Sequence, residues 1–335
     1  MKTPVPPPYR LGELRERVIA SLVNADDERH LFVLRALAGG LDDPEYRPWE
    51  YYFRAEPVPE GLTREEWWYA VRTARASTAR PTPFIMTDGT RLTFNLPDRF
   101  LRLNEEMTAQ ARGQVELPAE VATQGVRERY LINSLYEEAI TSSQMEGAST
   151  TRRDAKKMLR EKKDPRTRSE RMILNNFLAL EFVRDHLGEE LTPEFICGVH
   201  RIVTDGTLDE AEDAGRLQRQ GEERIRIYGS EGDEQLLHVP PPAEELPERL
   251  QRLCDFANGV GEYASQYVPP LVRALVVHFV MGYDHYFVDG NGRTARVIAQ
   301  WVMLREGFFL MDFVPVSRLL RRAPAQYARS FLEVE

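Results

Sequence analysis

The feature that most constrains the fold is a pair of apolar helical segments joined by a turn with two glycines. The first segment spans Pro270–Tyr283, the second Gly292–Glu306, and the turn reads Asp289-Gly-Asn-Gly292. The glycines permit positive φ angles and a close approach of backbone to a ligand. The free N–H groups and the positive dipole end at the start of the second helix therefore predict an anion-binding site.

Two arginines stand in the first turn of that second helix. Arg293 and Arg296 are three residues apart, so they lie on one face of the helix. Cations are unfavourable at this end of a helix, and we therefore expect an anion beside them, such as a polyphosphate. Asp289 is suited to hold Mg²⁺ against a polyphosphate, and His285 at the mouth of the turn is a candidate base. The absence of Gly-Lys-Ser/Thr excludes a P-loop.

The rest of the 335 residues predicts a mainly α-helical protein of about two domains. Residues 1–112 are predicted as an N-terminal extension, mostly helical, irregular over 42–61, with a hairpin near 84–94. Residues 119–335 are predicted as a helical bundle with one β excursion at about 223–239. The helices predicted there are Val121–Ser142, Arg152–Glu161, Ser169–His186, Pro193–Val203, Ala243–Asn258, Pro270–Tyr283, Gly292–Glu306 and Pro324–Leu332.

Composition limits the classes of partner and compartment. The net charge of −9 argues against a protein whose main role is to coat nucleic acid. The first ten residues are not expected to be a signal peptide, because no apolar run follows Lys2. The longest apolar stretch in the sequence is too short to span a bilayer. Two cysteines, Cys197 and Cys254, are too few for a disulfide framework or a four-cysteine zinc site. We therefore expect a cytoplasmic protein with no membrane partner.

The stretch His285-x-Phe287-x-Asp289-Gly-Asn-Gly-Arg293-x-x-Arg296 resembles the signature of the Fic (filamentation induced by cAMP) family at every defining position. The resemblance extends over roughly 120–332. It implies a Fic-type helical bundle with a hairpin flap, and a protein adenylyltransferase that uses ATP and Mg²⁺. Such an enzyme moves AMP to a Ser, Thr or Tyr hydroxyl of a protein and releases pyrophosphate. Many relatives carry proline where this chain has Tyr286.

The resemblance also implies roles for the residues of the signature. His285 would deprotonate the target hydroxyl, which attacks the α-phosphate, and Asp289 would bind Mg²⁺. Phe287 would be a core anchor. The residues expected to bind the phosphates of ATP are Gly290, Asn291, Gly292, Arg293 and Arg296.

A second motif, Ser142-Ser-Gln-Met-Glu146-Gly147, ends the predicted helix of about 121–146. Glu146 stands where the helix dipole disfavours an anion, and Gly147 suits the position just past a helix. Taken alone, the motif is typical of a solvent-exposed glutamate just before the end of a helix. It also resembles the Fic inhibitory motif of the class with an N-terminal inhibitory helix. That resemblance implies that Glu146 pairs with Arg296 and displaces the γ-phosphate.

Several alternatives stay open at this stage. The same fold would also suit an enzyme that chiefly removes AMP or uses another nucleotide donor. A regulatory or DNA-binding module is the third hypothesis, and the acidic charge argues against it. The expected partners are ATP and a target protein docked at the flap by strand addition, and the resemblance allows a homodimer and self-modification. His200, His238 and His278 are expected to be structural or surface residues rather than metal ligands.

Overall fold

The structure, a computed structural model, describes residues 7–23, 25–38, 45–54, 57–112, 124–228, 236–262 and 264–334. Helices dominate it, and the predicted mainly α-helical fold class is confirmed. The α-helices are α1 Leu11–Leu22, α2 Asp27–Ala38, α3 Trp49–Arg54, α4 Arg64–Thr78, α5 Asp98–Arg112, α6 Gln124–Met145, α7 Arg152–Arg160, α8 Arg168–Asp185, α9 Pro193–Thr204, α10 Leu246–Asn258, α11 Pro270–Asp284, α12 Asn291–Arg305, α13 Val316–Leu320 and α14 Pro324–Val334. The strands are β1 Arg80–Ile85, β2 Arg91–Phe94, β3 Ile227–Tyr228 and β4 Leu236–His238.

The predicted helices of the second half agree with the observed ones to within a few residues. The irregular chain predicted over 42–61 is wrong at Trp49–Arg54, which is helical. Proline is tolerated just before a helix, since it supplies a carbonyl there and its own missing N–H costs nothing. The Pro48 carbonyl accepts a bond from the Tyr51 N–H (3.1 Å), so this proline helps the helix to begin.

The chain divides into two compact units. The larger contains residues 83–90 and the described residues from 106 onward, and the smaller contains the described residues of 7–82 and 91–105. Residues 113–123 lie outside the described residues. A domain boundary between 112 and 119 therefore stays a prediction.

The smaller unit has its own core, in which Leu14, Tyr52, Trp68 and Val71 are buried. Its helix α4 begins with a capping box. The Thr63 hydroxyl accepts a hydrogen bond from the Glu66 N–H (3.2 Å), and the Glu66 carboxylate accepts one from the Thr63 N–H (2.8 Å). These reciprocal bonds satisfy two N–H groups that a helix start leaves free, and they fix where α4 begins.

In the larger unit α11 packs along α12, α6 along α8, and α8 along α9. Trp301, Tyr286 and Phe287 are fully buried at the centre of this bundle. Strands β3 and β4 pair antiparallel, with Ile227 opposite His238. They form the ends of the predicted β excursion, and residues 229–235 lie outside the described residues. No helix in the described part of the chain is apolar and long enough to cross a membrane.

Candidate active site

The site is built on the loop between α11 and α12. His285 ends α11 in a left-handed conformation, with φ of +49°, and its N–H donates to the Met281 carbonyl (3.2 Å). Gly290 precedes α12 with φ of +82°, and a Cβ there would lie 2.7 Å from Thr204 Cγ2. Only glycine fits that position, because the angle and the close approach both exclude a side chain. The loop is therefore a fixed link between two buried helices.

His285 is half-buried, and its Nδ1 lies 3.4 Å from the Gly282 carbonyl oxygen. Burial lowers the pKa of His285 to about 4, against a smaller opposing effect of the contact with that carbonyl. The imidazole is therefore neutral at pH 7. A proton on Nδ1, facing the carbonyl, leaves Nε2 as the basic nitrogen, which is the form that a general base needs.

His200, which sequence reasoning assigned no part in the site, supports the loop from α9. Its Nδ1 accepts the Gly215 N–H (2.9 Å), so the proton is on Nε2, which donates to the Asp289 carbonyl (2.8 Å). Its ring stacks on Phe287, with centroids 3.7 Å apart. His200 is buried and structural as predicted, and burial lowers its pKa to about 4. The contact of His200 with the Asp289 carbonyl could not be predicted from the sequence, because the two residues are far apart in the chain and no motif links them.

Asn291 closes the loop with its side chain. Its Oδ1 accepts the Phe287 N–H (2.9 Å), and its Nδ2 donates to the Phe287 carbonyl (2.7 Å). Phe287 is fully buried, in keeping with its expected role as an anchor. The Asn291 amide is therefore engaged within the protein, and only its backbone N–H remains for the phosphate contact that the sequence predicts. The Gly290 N–H likewise donates to the Asp289 carboxylate (2.6 Å).

Arg293 is fully buried beside this loop, and burial lowers its pKa. Its Nη1 donates to the Val203 carbonyl (3.0 Å). Within the described residues, Nε and Nη2 have no acceptor although both are buried. A buried guanidinium with two unused donors is costly, and an anion at this point would satisfy it.

Arg296 is also buried, but the end of α6 supplies its partners. Its Nε donates to the Ser142 hydroxyl (2.8 Å), and its Nη2 donates to the Ser142 carbonyl (3.0 Å) and the Glu146 carboxylate (2.8 Å). Against the opposing effect of burial, the charge of Glu146 helps to raise the pKa of Arg296. Gly147 follows with φ of +90° and ends the helix. The structure therefore brings Ser142 and Glu146 to Arg296.

The Glu146 carboxylate also lies over the first turn of α12. A Cβ added at Gly292 would be 2.3 Å from Glu146 Oε1 and 3.0 Å from its Cδ. A side chain at Gly292 would therefore collide with the carboxylate. Glu146 thus covers the helix N-terminus at which the sequence predicts an anion, and it carries the charge expected there.

Asp289 is the residue suited to a cation. Its carboxylate is half exposed, with Oδ2 3.4 Å from Arg168 Nη2 across a loose ion pair. No group of three or more His, Cys, Asp or Glu residues suited to a metal occurs in the part of the chain that the structure describes. A single carboxylate fits Mg²⁺ that is otherwise held by water and by the phosphates of a nucleotide. It does not fit a metal held by protein ligands alone.

Part of this chain is similar in sequence to known proteins. Residues 190–303 match the Fic/DOC family. Protein adenylyltransferase Fic of Drosophila willistoni is 31% identical over 138 residues, which are 41% of this chain and 24% of the relative. Protein adenylyltransferase fic-1 of Caenorhabditis elegans is 30% identical over 120 residues, 36% of this chain and 20% of the relative. The matches span about a quarter of the length of these curated relatives.

Solved structures show the same fold. A Fic family protein from Desulfovibrio desulfuricans has a TM-score of 0.51 at 22% identity, over 76% of this chain and 72% of that one. Fic-1 from C. elegans has a TM-score of 0.51 at 17% identity, over 97% of this chain and 96% of that one. The segment from His285 to Arg296 lies within residues 190–303, the part of this chain that matches the Fic/DOC family.

Proposed function

We propose that this protein is an adenylyltransferase that transfers AMP from ATP to a hydroxyl side chain of a protein. The observation that carries the proposal is the buried guanidinium of Arg293 beside the α12 N-terminus, two of whose donors have no acceptor among the described residues. The family match and the names of the curated relatives support the same reaction. Catalysis of this kind depends on positioning the reactants and neutralising phosphate charge.

In the proposed reaction Nε2 of His285 takes the proton from the target hydroxyl. The oxygen forms a bond to the α-phosphorus, and the bond from that phosphorus to the β-phosphate oxygen breaks, so pyrophosphate leaves. The phosphates would be bound by Arg293 and by the first-turn N–H groups of α12. Arg296 would join them once it is released from Glu146. Mg²⁺ beside Asp289 would neutralise phosphate charge when ATP is bound. The target would dock at the β3–β4 hairpin.

We further propose that Glu146 inhibits the transfer. The ion pair with Arg296 and the carboxylate over Gly292 support this role, because both occupy groups that the γ-phosphate of ATP would need. The interaction of a partly buried carboxylate with a buried arginine is stronger than that of an exposed pair. We expect the wild-type protein to transfer AMP slowly and the Glu146→Gly variant to transfer it faster.

The test is intact mass after incubation with ATP and Mg²⁺. We expect an AMP-sized gain in Glu146→Gly, a smaller one in the wild type, and none in Glu146→Gly/His285→Ala. Glu161→Gly is the matched control, since Glu161 also ends a helix but pairs with Lys163. It should behave as the wild type does.

Parallel reactions with GTP, CTP and UTP test which nucleotide is the donor, separately from whether the protein transfers a nucleotide at all. A gain only with another nucleotide would replace ATP as the donor and leave the transfer step in place. An absence of any gain, together with no ATP binding by calorimetry to Glu146→Gly, would refute the proposed activity. An equal gain in wild type and Glu146→Gly would refute the inhibitory role alone.

A further inference from the structure

The backbone around His285 is held by hydrogen bonds from distant parts of the chain. Four successive carbonyl groups, those of residues 283–286, each accept one. Their donors, in order, are His238 Nε2 (2.7 Å), Arg224 Nη2 (2.6 Å), Arg224 Nη2 again (3.0 Å) and the Gln218 N–H (2.9 Å). Tyr283 and Asp284 are the last two residues of α11, whose final carbonyls have no partner within the helix, and groups from elsewhere in the chain satisfy them here.

Two side chains that flank His285 are joined across it. The Tyr286 hydroxyl donates to Asp284 Oδ2 (2.7 Å), and both residues are fully buried. Arg249 Nε donates to Asp284 Oδ1 (2.8 Å), and Arg249 Nη2 lies 2.7 Å from the same oxygen in an ion pair. Burial raises the pKa of Tyr286 well above its usual value, so the hydroxyl keeps the proton that it donates. The carboxylate therefore has donors on both oxygens, as a buried charge requires.

Tyr286 follows His285 at a position where the resembling signature often has proline. A proline would stiffen the loop through its fixed φ angle. The tyrosine has no such restraint, but its hydroxyl closes a bridge over His285 to Asp284. A non-glycine residue in the left-handed conformation is strained, so His285 needs such support to keep φ at +49°.

Arg224 connects this turn to the hairpin. It lies just before β3, and besides the two loop carbonyls its Nε donates to the Pro241 carbonyl (2.8 Å), just after β4. A third contact joins Nη1 to the Gln218 side chain. One guanidinium therefore binds the base of the hairpin and the backbone of His285 at the same time.

We propose that Tyr286 is a positioning residue: through Asp284 and Arg249 it holds the His285 imidazole in place, and Arg224 sets that place relative to the hairpin. The proposal rests on the proposed function, because it takes His285 as the base. It predicts that loss of the Tyr286 hydroxyl misplaces the base but leaves the phosphate-binding groups intact.

The kinetic test uses Tyr286→Phe in the Glu146→Gly background. We expect the rate of AMP incorporation at saturating ATP to fall about tenfold, since sub-ångström misplacement of a catalytic group is costly. The ATP concentration at half-maximal rate should stay within about twofold, because Arg293 and the start of α12 are unchanged. Tyr52→Phe is the matched control. It removes a buried hydroxyl that accepts from Arg75 (3.2 Å) in the smaller unit, and the rate should not change.

The second readout does not need activity. We would record the histidine ring signals by NMR in full-length protein, with His285 assigned from its loss in His285→Gln. Tyr286→Phe should shift or split the His285 signal, and Tyr52→Phe should not. An unmoved His285 signal, or a raised half-maximal ATP concentration with an unchanged rate, would overturn the positioning role. A shifted signal in a protein that transfers no nucleotide would uphold that role and reject the proposed function.

Discussion

At the scale of single residues, the site contrasts two arginines of one helix turn. Arg293 is buried with two donors that have no acceptor in the described part of the chain, whereas Nε and Nη2 of Arg296 donate to Ser142 and Glu146. Both stand where the helix dipole is unfavourable to a cation. The site is therefore arranged for anions, and one of them is already supplied by the protein.

The Ser142→Ala variant tests how much the Ser142 hydroxyl contributes to keeping Arg296 in its ion pair with Glu146. It removes the acceptor of Arg296 Nε but leaves the carbonyl and Glu146 in place. A hydrogen bond to a charged group contributes about 1.5 kcal/mol or more, so AMP incorporation should rise about tenfold, less than in Glu146→Gly. The measurement is the initial rate of mass gain with ATP and Mg²⁺.

Ser143→Ala is the control for this variant. Ser143 is equally buried and adjacent, but its hydroxyl donates to the Met172 carbonyl (3.1 Å) rather than contacting Arg296. It should leave the rate at the wild-type value. A rate for Ser142→Ala that equals either the wild type or Glu146→Gly would contradict the graded contribution.

At the scale of elements, α6 is held by a carboxylate on its buried face. Glu138 accepts from the Ser317 N–H (2.8 Å) and from the Ser317 hydroxyl, so α6 is attached to α13. Burial raises the pKa of Glu138. The short helix α13 was not predicted, because five residues carry too little periodicity to identify a helix.

Ser317→Ala should therefore destabilise the larger unit. It leaves a buried carboxylate with one donor fewer, which costs about 1–3 kcal/mol of unfolding free energy. Urea denaturation followed by circular dichroism measures the change. Ser330→Ala is the comparison, because its exposed hydroxyl bonds only the Tyr327 carbonyl within α14, and it should unfold as the wild type does. Equal losses in the two variants would argue against the attachment of α6 by Glu138.

The arrangement of the elements also explains which parts of the site could be predicted from the sequence. The turn between α11 and α12 could be predicted because its glycines and the apolar periodicity on both sides are contiguous in the sequence. The supports of that loop come from His200, Arg224 and Arg249, which are 36–85 residues away in the chain. Each looks like an ordinary helix or surface residue in its own segment, and only tertiary packing brings it to the loop.

For the protein as one folding system, three neutral histidines that are buried or partly buried link stability to pH. Burial lowers the pKa values of His200, His278 and His285 to about 4 each. An unfolded chain binds protons at these residues near pH 6.5, whereas the folded one does not until about pH 4. The free energy of unfolding therefore falls as the pH drops from 7.5 towards 5.

His278 gives the most direct test of this linkage, since it is outside the proposed reaction. Each histidine should cost on the order of 1–2 kcal/mol between pH 7.5 and 5. The wild type should lose more unfolding free energy than His278→Gln when the pH is lowered from 7.5 to 5. The two losses should differ by about 1–2 kcal/mol, the contribution of one histidine. Urea denaturation at both pH values measures it. An unchanged difference would mean that His278 does not contribute.

The ion pair of Glu146 with Arg296 has a consequence for the intact protein. Under the proposed inhibitory role, Glu146 is a tethered competitor, and its effective concentration does not change when the protein is diluted. Free nucleotide would then compete with it at that constant level, and each increment of about 1.4 kcal/mol in pairing would lower the open fraction about tenfold. Activity would therefore respond to whatever moves the end of α6, and hardly at all to the amount of protein present.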